Sequence, residues 1–256
     1  MGAAPRVRFT ERALEPKLFA SLTRAVRGLA HERLRSTYQT TFWFDLETPG
    51  CLPEQAALAL RDRVPEGRRV VGVEWWLSRM WTSDVRVDFH RDRDEKQALR
   101  TGKVVHPRWS SVFFLNRCRG GLLAVTEQPP CEDNPSLAPR VLDFDLAKPL
   151  PNRFVLFAGE LTHGVLDARN QIPDAGGRPT VRWKGGAGSP SRRSRAEPAG
   201  AGGSPRAQAL RLAVVFNWWH RRPEDVPRWD ETRIYRSLAL PRLKAPAPRA
   251  SGRAGR

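Results

Sequence analysis

The chain has only three cysteines in 256 residues, Cys51, Cys118 and Cys131. Their number is odd and their spacing fits no zinc pattern, which argues against a disulfide framework or a thiolate metal site. No apolar run reaches the roughly 18 residues that a membrane-spanning helix needs, so no membrane segment is expected. The opening "MGAAPRVRFTERALEPK" lacks the apolar stretch of a secretory signal. A reducing cytoplasm is the expected compartment. Histidine is scarce too. The five are His31, His90, His106, His163 and His220, so an imidazole-based site has few candidates.

What is abundant is positive charge, +17 in all. A basic chain suggests nucleic acid as a partner, but the charge is unevenly placed. Residues 169–208 hold eight Arg/Lys against Asp174 and Glu197, and the tail 241–256 holds five with no acid. Those segments, at +6 and +5, carry eleven of the seventeen charges. Both are rich in Gly, Pro, Ser and Arg and poor in apolar residues, the composition of a flexible insertion and a disordered tail. Their arginine runs lack interleaved aromatics, so nucleic acid is not the expected partner. The rest is only mildly basic and carries most of the nine Trp and eleven Phe. It is long enough for a sizeable core.

Along the chain, Leu18, Leu22, Val26 and Leu29 recur at helical spacing, and Pro16 suits a first turn, which predicts a helix over 16–36. "TTFWFDL" (40–46) reads as a strand, and "PEQAALALRDRV" (53–64) as a short helix. From residue 69 the pattern changes. "RVVGVEWWLSRMW", "VRVDFH", "WSSVFFLN", "GLLAVTE", "RVLDFDL", "RFVLFAG", "HGVLDA" and "LRLAVVFNWW" are short, β-branched or aromatic, and mostly punctuated by Gly, Pro or Asn. Many short strands in succession predict a mainly β sandwich or barrel with flanking helices. One further short helix is expected over 223–238. The expected organisation is N-terminal helices and a first strand in 1–68, a β core in 69–240 interrupted at about 169–208, and a basic tail.

The chemistry concentrates in "VDFHRDRDEK" (87–96). Val85, Val87 and Phe89 alternate with Arg86, Asp88 and His90, which predicts a strand with one polar face. His90 and Asp92 then point the same way, about 6.6 Å apart along the strand, and can share an ion. Asp94 would lie twice as far away; only in a helix would His90 and Asp94 form the pair. Asp94 and Glu95 are expected at the rim, paired with Arg91 or Arg93, and Asp88 could orient a ligand. Among the other histidines, His31 reads as a solvated helix residue, and His106 and His220 as exposed. His163 follows a strand and a short polar turn and opens the next strand, which aims it into the sheet interior. Two His and one carboxylate with open positions form the ligand set of non-haem Fe(II) oxygenases.

The order "FHRDRDE", "SSVFFLN", "RGGLLAVTEQ", "PNRFVLFAGELTHGVL", "LRLAVVFNWW" resembles the 2-oxoglutarate- and Fe(II)-dependent dioxygenase superfamily, in its prolyl-4-hydroxylase-like branch. The resemblance spans roughly residues 70–220. It implies a double-stranded β-helix, with Fe(II) held by His90, Asp92 and His163. It also implies 2-oxoglutarate as co-substrate, with ascorbate as an optional reductant, O2, and a small-molecule or peptide substrate. The far carboxylate of 2-oxoglutarate would be held by an arginine, whose planar guanidinium suits a bidentate pair. Arg211 has the strand surroundings expected, although it lies 48 positions after His163. The insertion can account for that distance; Arg178 and Arg182 are the alternatives. Gly120 and Gly121 mark a turn or a close backbone approach, Trp218 and Trp219 read as core or rim, and Arg79 faces either the cavity or a surface ion pair. A metal- or ligand-binding sensor without turnover is the competing reading. Substrate and oligomeric state are not legible in the sequence.

Overall fold

The computed structural model describes residues 6–29, 40–82, 88–130, 144–167, 170 and 210–231. Two antiparallel sheets face each other. Their strands are β1 (Val7–Thr10), β2 (Phe42–Phe44), β3 (Gly72–Trp81), β4 (Trp109–Phe114), β5 (Leu123–Thr126), β6 (Asp145–Ala147), β7 (Arg153–Ala158), β8 (Thr162–Val165) and β9 (Leu210–Trp219). The large sheet has the order β1-β7-β4-β9-β3-β2 and the small one β6-β5-β8. The chain passes repeatedly from one sheet to the other, which is the winding of a double-stranded β-helix.

Alternation along β3 sets the layers. Val73, Trp75 and Leu77 point to one side and pack in a cluster with Leu22 and Val26 of helix α1 (Pro16–Arg27) and Ala56, Ala57 and Leu60 of helix α2 (Leu52–Leu60). Burying such side chains contributes roughly 1.5–3 kcal/mol each. Trp76, the next residue of opposite parity, joins Val215 and Ala213 of β9, Val112 and Phe114 of β4 and Val125 of β5 between the sheets. A third cluster, Phe89, Leu122, Ala124, Phe144 and Leu166, covers the outer face of the small sheet.

Several expectations are met and several are corrected. The strand over 40–46 and the long strands over 69–81 and 210–219 are present. Helix α1 begins at Pro16, but its described length ends at Arg27, and 30–39, with His31, lie outside the described residues. Helix α2 gives way to a 3-10 turn at Arg61–Arg63 instead of continuing. The helix expected over 223–238 is, as far as residue 231, a series of turns ending in the 3-10 turn Trp229–Glu231, because Pro223 and Pro227 remove backbone donors. Strand β1 was not foreseen. Four residues are too few for a periodicity reading, and it is held by pairing with β7, Val7 opposite Phe157 through Thr10 opposite Phe154. Residues 171–209 and 232–256, which include Arg178, Arg182, most of the basic insertion and the tail, lie outside the described residues.

Candidate metal centre

Residues 83–87 lie outside the described residues, so the alternation of Val85 and Val87 has no structural counterpart here. From Asp88 the expected strand is reduced to one isolated antiparallel bridge, His90 with His163, and the chain turns into a helix at Glu95. The two backbones exchange both hydrogen bonds, His90 N to His163 O at 3.0 Å and His163 N to His90 O at 2.9 Å. This bridge lays the His90 segment alongside β8 at the edge of the small sheet. Gly164 permits the approach: a Cβ there would meet the Asp88 carbonyl oxygen at 2.9 Å and Phe89 Cδ1 at 3.1 Å.

The consequence is convergence of His90, Asp92 and His163. Each offers a ligand atom, and those atoms lie within 4.8 Å of one another. Asp92 Oδ1 is 3.5 Å from His90 Nε2, and Asp92 Oδ2 is 3.4 Å from His163 Nε2. Asp94 takes no part. The aspartate two residues after His90 is the one beside it, although residues 88–94 form no strand beyond the single bridge at His90.

Each donor is oriented from behind. His90 Nδ1 faces the Asp88 carbonyl oxygen at 3.2 Å, and His163 Nδ1 faces the Leu161 carbonyl oxygen at 3.1 Å. A carbonyl can only accept, so each Nδ1 carries a proton and each Nε2 is the nitrogen left facing the centre. Asp88 therefore orients His90 through its backbone, not its carboxylate. Ser110 Oγ donates to Asp92 Oδ2 at 3.1 Å, and His106 Nδ1 donates to the Asp92 carbonyl oxygen at 2.6 Å. Burial works against the Asp92 anion, but the two imidazoles outweigh it and hold its carboxyl well below the usual range. Burial also opposes a charged His90, yet the hydrogen bond and charge of Asp92 raise its pKa. Converging imidazole nitrogens and a carboxylate that favours positive charge are the donor set a divalent ion such as Fe(II) accepts. Access is one-sided: the His163 side chain is 8% exposed and that of His90 51%.

Two residues expected elsewhere help hold this loop. His106 is half-buried against Asp92, not exposed. Asp94 is buried, not at the rim, because it caps helix α3 (Glu95–Thr101), accepting from Gln97 N at 3.0 Å. It also accepts from Arg221 Nη2 at 3.1 Å and Glu224 N at 3.2 Å, which ties the loop to the end of β9. The signal for α3 was present, with Asp94 three residues before Gln97 and Gly102 at the end with φ of 70°. Glu95 is exposed and pairs with Arg93, as expected. His220 is exposed, also as expected.

Arg211 is 1% exposed. Its Nε donates to the Gly121 carbonyl oxygen at 3.1 Å and its Nη1 to Ser78 Oγ at 3.0 Å, with the guanidinium over the Phe114 ring at 5.0 Å. Gly120 and Gly121 are both a turn and a close approach, with φ of 74° and 65°. A Cβ on Gly121 would meet Arg211 Cδ at 2.9 Å. By parity on β9, Arg211 shares the intersheet face of Ala213, Val215, Asn217 and Trp219. Trp218 lies on the other face, in the helix-side core, and donates to Ser111 Oγ at 2.9 Å. Arg79 shares the face of Trp75 and Leu77, so it points to the helix layer and not to the cavity.

The reading of residues missed Glu74 and Asn217. They stand opposite each other on β3 and β9, and Asn217 stands opposite Ser110 of β4. Nothing local marks a single polar residue in "GVEWWL" or "VVFNWW" as part of a site; only the pairing of strands puts them in one row with Ser110.

No protein-family model matches the chain, and no curated protein matches it. Among solved structures the chain is similar to a prolyl-4-hydroxylase from Pseudomonas putida, at 17% identity and a TM-score of 0.43, over 86% of this chain and 88% of that one. It is similar to an oxidoreductase of the 2OG-Fe(II) oxygenase family from Burkholderia pseudomallei, at 12% identity and a TM-score of 0.40, over 87% and 88%. It is also similar to HygX from Streptomyces hygroscopicus with nickel and 2-oxoglutarate bound, at 13% identity and a TM-score of 0.41, over 88% and 84%. Similarity this low transfers no residue role to the chain. The class that the fold and site define is a double-stranded β-helix with a His-x-Asp…His cluster.

Proposed function

We propose that the protein is an Fe(II)- and 2-oxoglutarate-dependent oxygenase, in which His90, Asp92 and His163 hold the iron and Arg211 holds the far carboxylate of 2-oxoglutarate. The observation that carries this reading is the convergence of two imidazole nitrogens and one carboxylate within 4.8 Å, each oriented from behind. The iron, when bound, supplies the redox chemistry that couples O2 to conversion of 2-oxoglutarate into succinate and CO2 and to oxidation of a substrate.

The chain's own residues do the rest. The Asp88 and Leu161 carbonyls hold a proton on each Nδ1, so Nε2 is the nitrogen that would face the ion. Ser110 and His106 fix the Asp92 carboxylate and backbone. Phe157, its ring centroid 4.9 Å from that of His163, and the apolar residues between the sheets exclude water from one side of the centre. Arg211 presents a permanent charge in a buried setting, where a carboxylate–guanidinium pair is strong. Arg178 and Arg182 remain the alternatives for that role.

Anaerobic titration with Fe(II) and then 2-oxoglutarate, followed by exposure to air, tests the reading. Stoichiometric binding and succinate release are expected. Binding of both without succinate release, even with broad substrate panels, would instead point to a sensor, and failure to bind Fe(II) would refute the metal site.

A further inference from the structure

Glu74 is a carboxylate on the intersheet face of β3, and its hydrogen-bond donors are neutral. Trp219 Nε1 donates to Oε2 at 3.2 Å, and the side chains of Asn217 and Thr41 also bond to it. Burial, with the charge of Asp92 adding to it, raises its pKa to about 7. Asn217 is 2% exposed, and its Oδ1 has no hydrogen-bond partner among the described residues. With its amide N–H given to Glu74, Asn217 Oδ1 is left without a donor beside a carboxylate whose own donors are all neutral. Glu74 pairs with Asn217 and Asn217 with Ser110, whose hydroxyl bonds Asp92. Two strand spacings, about 10 Å, therefore separate the Glu74 backbone from that of the serine touching the triad. Trp76 lies one step along the same face and is half-buried, an aromatic surface beside the carboxylate.

We propose that Glu74 and Asn217 form a substrate-recognition subsite for a cationic nitrogen group, an ammonium or guanidinium, on the sheet face that also carries Ser110, the residue bonded to Asp92. A multi-donor cation supplies the donor that Asn217 Oδ1 lacks and compensates the charge of the carboxylate, and the Trp76 face favours the same charge. A neutral alcohol or amide has fewer donors and leaves the carboxylate charge uncompensated. The inference rests on the oxygenase reading for the identity of the bound molecule as substrate, but the subsite itself needs no iron.

The test is binding of four small probes to the full-length protein without metal, by ligand-observed NMR and calorimetry. Hexylammonium and butylguanidinium are compared with the neutral hexanol and hexanamide. The expected result is a preference for the cations of at least about tenfold, equivalent to roughly 1.4 kcal/mol. Glu74→Gln, which keeps shape and removes charge, should abolish the preference, and Asn217→Ala should weaken cation binding severalfold. Equal affinity for cations and neutral probes, no binding of any probe, or a Glu74→Gln protein that still prefers cations would overturn the proposal. Succinate release by the wild-type protein with Fe(II) and 2-oxoglutarate is measured separately. Its absence alongside cation binding, with ascorbate and a broad panel of oxidisable substrates supplied, would refute the oxygenase reading and leave the subsite standing.

Discussion

Arg211 offers the sharpest quantitative test. In the free protein its guanidinium is fixed by the Gly121 carbonyl and the Ser78 hydroxyl and lies over Phe114. If it also receives the far carboxylate of 2-oxoglutarate, removing it forfeits charge-assisted hydrogen bonds worth about 1.5–3 kcal/mol each. Loss of a bidentate pair is thus about 3 kcal/mol or more, a roughly hundredfold weaker affinity. Arg211→Met is the variant of choice, since it keeps most of the volume in a site only 1% exposed and limits cavity cost. Arg211→Lys keeps the charge and loses the planar fork, so about a tenfold loss is expected. The assay is calorimetric titration of 2-oxoglutarate into Mn(II)-loaded protein under argon. A folded Arg211→Met protein that binds 2-oxoglutarate as tightly as the wild type would refute the assignment and direct attention to Arg178 and Arg182.

Other outcomes are equally definite. His163→Ala should abolish Fe(II)-dependent succinate release and weaken Co(II) binding by about 100-fold or more, while circular dichroism stays native; retained turnover would remove His163 from the triad. Ser110→Ala deletes the donor to Asp92 and should cost roughly 10-fold in Co(II) affinity, a smaller effect than loss of a ligand. Glu54 is 5% exposed, and burial raises its carboxyl to about 7, which sets a pH dependence. Its folded pKa lies above its unfolded value, so stability falls as pH rises from about 4.5 to 7 and is flat beyond, by about 3 kcal/mol for this group. Glu54→Gln, which can still accept from Gly50 N, should shrink that fall by a comparable amount in urea melts at pH 5 and pH 8; an unchanged fall would contradict it.

How much was legible beforehand follows from the range of each signal. Period-two alternation is local, so "GVEWWLSRMW" and "LRLAVVFNWW" declared themselves as β3 and β9. The spacing of His90 and Asp92 is also local, and it selected the aspartate that the structure places beside the histidine. The capping pattern of α3 was legible but went unread, since the run of charges around it resembles a solvated strand rim. The prolines at 223 and 227 are the local signal against a helix there.

What the sequence alone determined is the alternation and the residue types: apolar and polar faces, two imidazoles, a carboxylate, an arginine in an apolar run. These depend on neighbours within a few positions, where backbone geometry is rigid. What only the tertiary structure decided is which polar residues meet. His90 reaches His163, 73 positions away in the chain, through one backbone bridge that Gly164 allows. Glu74, Asn217 and Ser110 become one row through strand register. Register is set by the summed burial of whole strands, a property no short window of sequence contains.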